Sequence, residues 1–453
     1  MPQQREFWSG RTGFVLATIG AAVGLGSIWK FPYEVGANGG GAFVLFYLIG
    51  LLLIVFPLML VEFAIGRRGR ADAAYAIATV ATAAGASRHW ALCGLLGVAA
   101  AFIILSFYSV IGGWAIAYAV DTVLHGLAGT DARSAQARFD ALLVAPLTMA
   151  IYHLAFMAAV AFIVARGISR GIEEACKILM PVLIGLIIVL CLFSMLRGDL
   201  AATLRFLFRF DPAHLTLRVA LDALGLGFFS IGVGLCVMIT YAAYAAAEVD
   251  LREVAIITIL GDTAVSMAAS LAVFPVVFAE GLDPAGGPGL MFVTMPLAFA
   301  RVPGGTFAAI GFFLLLIVAA IVSGISMLEM PVALLKRRGW SRPRAAVACA
   351  AACWLCGLAT VLSFNRWATW YPLAALPIFA EATVFDLLDH LTSNMMLPLG
   401  GFSLALLAGW VLPEQLLADE IGLGARAVAL LRLLVRYIVP ICIAVLGLFP
   451  LLT

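Results

Sequence analysis

The stretch GAAVGLGSIWKFP, residues 20–32, places Gly20, Gly24, Gly26 and Lys30 inside a run otherwise as apolar as a membrane helix. A glycine in a helix interior costs about 1 kcal/mol relative to alanine, and a cation at membrane depth costs more. Unwinding between Val23 and Gly26 would offset those costs. It frees carbonyl oxygens that can hold a cation, and amide N–H groups at a positive helix end that can hold a carboxylate. A second run, GLGFFSIGVGLCVMITY (225–241), is interrupted in the same way by Gly232 and Gly234. One such helix is explained as well by close helix packing. Two at corresponding places point to a midplane binding site made of half-helix ends.

Three acids, Glu62, Asp262 and Glu329, also fall in apolar runs. Each is either a hydrogen-bonded structural group or a proton carrier. His89, His125, His153, His214 and His390 show no metal-ligand spacing. Cys353 and Cys356 lie one turn apart in an apolar run, where packing competes with a redox or metal role. There is no nucleophile triad, phosphate loop or dinucleotide fingerprint, and a net charge of +2 gives no indication of a nucleic-acid partner. No enzyme, organic cofactor or protein partner is implied.

The elements that must position these residues are membrane spans. Of 453 residues 64% are hydrophobic and 11% charged, which excludes a water-soluble domain of this length. Stretches of roughly 20 apolar residues fall at 12–36, 41–65, 89–123, 141–165, 174–196, 216–246, 252–279, 305–335, 344–363, 384–410 and 427–452. They are apolar on every side, unlike the alternating strands of a barrel, so the predicted fold class is all-α with eleven spans. Broken helices in the first and sixth places suggest two inverted five-helix repeats, 11–197 and 214–410, with the last span outside them. Residues 1–10 carry charge without the apolar core of a signal peptide. With that tail cytoplasmic, 18 of the 27 Lys and Arg residues lie on the inner side and eight outside, as the positive-inside rule requires.

REFWSGRTGFVLATIGAAVGLGSIWKFPY (5–33), NGGGAF (38–43), ARGISRGIE (165–173), FFSIGVG (228–234), FPVVFAEGLDPAGGPGLMFVTMP (274–296) and FDLLDHLTSNMMLPLGG (385–401) resemble the bacterial neurotransmitter:sodium symporters, with the LeuT-type fold. That resemblance implies an amino-acid symporter of the bacterial inner membrane, a single transporter domain working by alternating access. The substrate carboxylate is expected at the backbone of Ala21, Ala22, Gly24 and Gly26 and at the Tyr108 hydroxyl. Its side chain is expected among Ile104, Phe229, Ser230, Leu235, Ser323 and Met327. Glycine at 24, where amine carriers have aspartate, implies a substrate bringing its own carboxylate. Gly232, with Leu235 where phenylalanine is common, implies room for bulky apolar or aromatic side chains, although Met327 could refill it.

By the same resemblance the first sodium site draws on the Ala22 carbonyl and on positions matching Ser27, Ser230 and Gly261; the second draws on Gly20, Val23, Ala319, Val322 and Ser323. Ser27, Gly261 and Val322 each replace a side-chain oxygen ligand, and sodium needs a full oxygen shell. Weak or absent sodium dependence is therefore expected, with a proton carried by Asp262, Glu62 or Glu329 as the alternative. No chloride requirement is expected, since Val265 fills that position and Asp262 supplies a charge nearby. The outer gate pairs Lys30 with Asp389, Glu34 competing for Lys30. At the inner gate Arg5 would meet Arg337 and be repelled, leaving Trp8, Tyr244 or another acid to close it. A membrane sensor that binds an amino acid without moving it is the alternative of another class.

Overall fold

Runs that are apolar on all sides satisfy their backbone in a membrane only as helices. The computed structural model, which describes residues 6–209, 211–283 and 289–448, has no other regular element among them. The first expected span is two helices, α1 (Arg11–Ala22) and α2 (Gly26–Ala37), bent by 51°. Then come α3 (Gly41–Gly69), a short α4 (Ala73–Ala83), α5 (Arg88–His125), α6 (Ala132–Leu143), α7 (Pro146–Ala165), α8 (Ile168–Arg197) and α9 (Leu200–Phe208). The expected sixth span is also divided, into α10 (Leu217–Ile231) and α11 (Val237–Ala242). The chain continues through α12 (Leu251–Ala279), α13 (Leu290–Ala300), α14 (Gly305–Arg337), α15 (Arg342–Ser363), α16 (Val384–Val411), α17 (Glu414–Ile421) and α18 (Ala425–Leu448).

Nine of these helices are long and apolar enough to cross a bilayer, and the bent α1–α2 pair makes a tenth. The eleventh expected span is the α10–α11 pair, whose 15- and 6-residue pieces are each too short alone. The short helices between spans give no membrane signal in the sequence, because they have fewer than about 18 apolar residues. Several are fixed by local caps: Asp72 accepts from the Tyr75 N–H at 3.2 Å to start α4, and an Asp131–Ser134 capping box opens α6.

The two broken helices lie at the centre. α1 packs on α8, α12 and α14; α10 and α11 pack on α3; and the long α5 crosses α14. The breaks have different backbone causes. At the first, Val23 turns extended (φ −75°, ψ 102°) and α-helical pairing stops. At the second, Gly232, Gly234 and Cys236 take positive φ of 71°, 88° and 62°, a region where only glycine is free of steric cost. Gly234 is further confined, because a Cβ there would stand 2.7 Å from the Leu397 carbonyl oxygen.

Gly234→Ala is therefore expected to destabilise the protein by at least about 1–2 kcal/mol, seen as a lower thermal midpoint. Gly225→Ala, inside α10 with only Leu446 3.6 Å away, is expected to be neutral or stabilising. Equal midpoints for the two variants would contradict a backbone origin for the second break.

Candidate functional site

All twelve residues expected to bind substrate line one central cavity of about 50 Å³. α1 and the first break contribute Ala21, Ala22, Gly24 and Gly26; α5 contributes Ile104 and Tyr108; α10 and the second break contribute Phe229, Ser230, Gly232 and Leu235; α14 contributes Ser323 and Met327. The Tyr108 hydroxyl accepts from the Leu25 N–H at 3.2 Å, which leaves its own proton free to donate to a carboxylate. A Cβ on Gly24 would lie 2.5 Å from Ser323 Oγ and 3.1 Å from Tyr108 Oη, so this position has room only for glycine. Leu235 Cδ1 stands 3.3 Å from where a Gly232 Cβ would be. The space opened by Gly232 is thus occupied by a leucine tip that can change rotamer.

The cavity also includes Leu25, Ile231, Val237, Ser326 and Leu397, which sequence reasoning missed. Ser326 sits three residues after Ser323 on one helix face, a spacing that could have found it. Leu397 comes from α16, and nothing local connects it to the site.

Beside the cavity, oxygens converge. Ser27 Oγ lies 2.5 Å from Asp262 Oδ1, 3.0 Å from Ser230 Oγ and 3.5 Å from the Ala22 carbonyl. Ser230 Oγ is 3.2 Å from the same carboxylate, and the Tyr47 hydroxyl donates to its other oxygen at 2.9 Å. Asp262 is fully buried, and no basic side chain among the described residues pairs with it. This corrects the alignment of a lost ligand with Gly261. A Cβ there would meet Ile19, so residue 261 faces α1 and residue 262 enters the cluster. Tyr47, which completes the cluster from α3, was not anticipated.

A second cluster forms where Ser323 Oγ donates toward the carbonyls of Val23 at 3.2 Å and Gly20 at 3.4 Å. Ala319 is buried one turn earlier on α14. Val322 presses a methyl group against Gly20, so an apolar group stands where an oxygen was sought. Glu62 accepts from the Gly234 N–H at 2.7 Å and braces the second break.

The family model for sodium:neurotransmitter symporters matches residues 5–138 and 144–452. The chain belongs to the sodium:neurotransmitter symporter family. It is 35% identical over 443 residues to YhdH, an uncharacterized sodium-dependent transporter of Bacillus subtilis, covering 97% of this chain and 96% of that one. A sodium-dependent dopamine transporter of Bos taurus is 28% identical over 398 residues, 72% of this chain and 53% of its own. The crystal structure of MhsT in complex with L-phenylalanine superposes with a TM-score of 0.88 at 38% identity, covering 98% and 99% of the two chains. The protein is a multi-pass membrane protein with the LeuT-type fold.

The gates of this family member differ from expectation. Lys30 and Asp389 line one cavity of about 170 Å³, next to the central one, without forming an ion pair. Lys30 Nζ sits 4.6 Å above the Phe229 ring, and Asp389 accepts from Ser393. Glu34 accepts from Asn38 and makes no direct ion pair with Lys30, although the Lys30 charge acts on it. On the opposite side Arg5 lies outside the described residues, and Arg337 stacks on Tyr75 and faces Asp72 at 3.7 Å. The contacts expected of Arg5 are made here by its neighbours in the sequence. Trp8 donates from Nε1 to the Tyr241 carbonyl at 2.9 Å, and Glu6 pairs with Lys336 and Arg342. Arg342 also grips Glu329 at 2.7 and 2.9 Å, and Tyr244 donates to the same acid. As a proton carrier Glu329 is displaced by this geometry, because its charge is already met by a buried guanidinium.

Arg342→Met should destabilise the protein by about 3–5 kcal/mol, the cost of leaving Glu329 buried and unpaired. Adding Glu329→Gln should recover most of that loss. A double variant no more stable than the single one, by thermal unfolding in detergent, would show that the pair does not hold the inner closure.

Proposed function

We propose that the chain is a secondary active symporter that moves bulky apolar or aromatic amino acids across the bacterial plasma membrane together with sodium. The observation that carries this reading is the Asp262 cluster beside the central cavity: a buried carboxylate ringed by hydroxyls and a carbonyl calls for a cation. Family membership makes sodium the first candidate. The first ion would be held by Asp262, Ser27, Ser230 and the Ala22 carbonyl. A second, weaker site would use Ser323 with the Gly20, Val23 and Ala319 carbonyls, short of the oxygen that Val322 lacks. A fixed negative charge at Asp262 removes the need for chloride.

In this reading the substrate carboxylate meets the freed amides of Ala22 to Gly26 and the Tyr108 hydroxyl. Its side chain displaces the tips of Leu235 and Met327. L-phenylalanine bound to MhsT supports a substrate of that size. Residues 11–197 and 214–410 act as the two rocking repeats, with the N-terminus cytoplasmic. One monovalent ion crossing 100 mV supplies about 2.3 kcal/mol, roughly a 50-fold accumulation of a neutral substrate.

Uptake of phenylalanine into proteoliposomes, with all twenty amino acids as competitors, tests transport and size together. Transport with preferential competition by large apolar residues is expected. Binding without uptake would favour a sensor, and competition by glycine and alanine alone would refute the size assignment. Tyr108→Phe should weaken binding by about 1–3 kcal/mol, and Gly24→Asp should abolish it.

Affinity measured in sodium, potassium and choline buffers at mildly acidic and alkaline pH decides the ion. A sodium requirement lost in Asp262→Asn is expected. Sodium-independent affinity that strengthens at acid pH, and loses that response in Asp262→Asn, would instead assign a proton to this carboxylate.

A further inference from the structure

Arg436 is a cation without a counter-charge on the face that α18 turns toward lipid. Four residues earlier on the same helix Arg432 pairs with Glu414 at 3.6 Å, but no acid among the described residues answers Arg436, and its Nε is buried without a hydrogen-bond partner. Instead its guanidinium lies 4.0 Å from the Trp410 ring centre and 5.6 Å from that of Tyr437. Both rings look outward, 52% and 44% exposed. Leu430, Leu433, Tyr437 and Ile441, all exposed, form a continuous apolar face on α18 around them.

The helices are built to hold this arrangement. α16 and α18 each widen to i→i+5 pairing at the contact, over Leu407–Val411 and Leu434–Ile438. A Cβ at Gly409 would stand 2.7 Å from Arg436 Cα, so glycine permits the close crossing. The Trp410 indole then donates to the Arg436 carbonyl at 3.3 Å. Arg436 sits about 6 Å deeper along α18 than the ion-paired Arg432, within reach of the headgroup layer by snorkelling. Exposed Trp and Tyr mark the same layer.

We propose that the α16–α18 groove at Arg436 is a binding site for the phosphate of an anionic phospholipid, on the side of the membrane where Arg67 and Glu420 meet. A lone ammonium could serve as a point charge, but the planar guanidinium offers a fork that two phosphate oxygens can accept. The two rings hold that fork in plane and take the glycerol and upper acyl chain against their outer faces. A phosphodiester supplies the missing counter-charge without burying a protein acid.

The test uses the full chain purified in detergent, with phosphatidylglycerol, phosphatidylcholine or inorganic phosphate as probes. Bound lipid is read by native mass spectrometry, and stabilisation by the shift in thermal midpoint. Phosphatidylglycerol should remain as a one-to-one adduct and raise the midpoint, and Arg436→Met should lower its affinity about tenfold, as loss of a charge-assisted pair implies. Arg432→Met should stay within about twofold of the unmodified protein, because Arg432 is committed to Glu414. Undiminished retention by Arg436→Met, an equal shift from phosphatidylcholine, or an equal shift from inorganic phosphate would overturn the proposal. If Arg436→Met does not fold, Trp410→Leu replaces it, and unchanged phosphatidylglycerol retention by that variant overturns the proposal as well.

Discussion

A carboxylate buried at the middle of a membrane protein with only hydroxyl groups around it sets the terms for everything near it. Asp262 is fully buried and held by Ser27, Ser230 and Tyr47, and no arginine or lysine among the described residues pairs with it. Hydroxyl donors lower the cost of an ionised acid at that depth but do not cancel it. A cation bound there, as proposed above, would cancel it, and would give a role to the oxygens that three helices, α3, α10 and α12, bring to the end of a broken fourth. The unwinding after Ala22 turns a carbonyl toward the Ser27–Asp262 cluster on one side and leaves amides facing the central cavity on the other. An ion and a substrate bound as proposed would share one piece of backbone, so that occupation of one site would bear directly on the other.

The residues expected to gate the cavity are held in different ways at its two ends. At one end Lys30 rests on Phe229, which also lines the central cavity, and leaves Asp389 to Ser393. At the other the segment before α1 is fastened at three points: Glu6 to Lys336 and Arg342, Trp8 to Tyr241, and Ser9 to Glu173. In this contact the acid, Glu6, is on the N-terminal segment and the bases, Lys336 and Arg342, are on α14 and α15. Behind this contact Arg342 and Glu329 are buried together, while Glu6 is partly exposed.

Much of this was legible in the residues. Length and all-round apolarity dictate spanning helices, and two glycine-interrupted runs in matching positions locate the cavity, all of whose expected lining residues the structure brings together. What escaped depended on rotation about a helix axis and on long-range partners. Gly261 and Asp262 are neighbours in sequence but 100° apart around α12, and only packing against α1 shows which of them faces Ser27. Arg342 lies in a basic run that reads as a charged turn, yet its guanidinium is buried between Glu329 of the preceding helix and Glu6 from the start of the chain. Arg436 likewise counts as one more basic residue of the last span until the fold shows that no acid among the described residues pairs with it.

The most direct test is equilibrium binding of radiolabelled sodium to the purified protein in the absence of amino acid, for the unmodified chain and for Asp262→Asn. The account predicts saturable sodium binding that loses one ion per protein in the variant while the fold, followed by thermal unfolding, is retained. Sodium binding of unchanged stoichiometry and affinity in Asp262→Asn would contradict it, because the carboxylate would then not be the group that holds the ion.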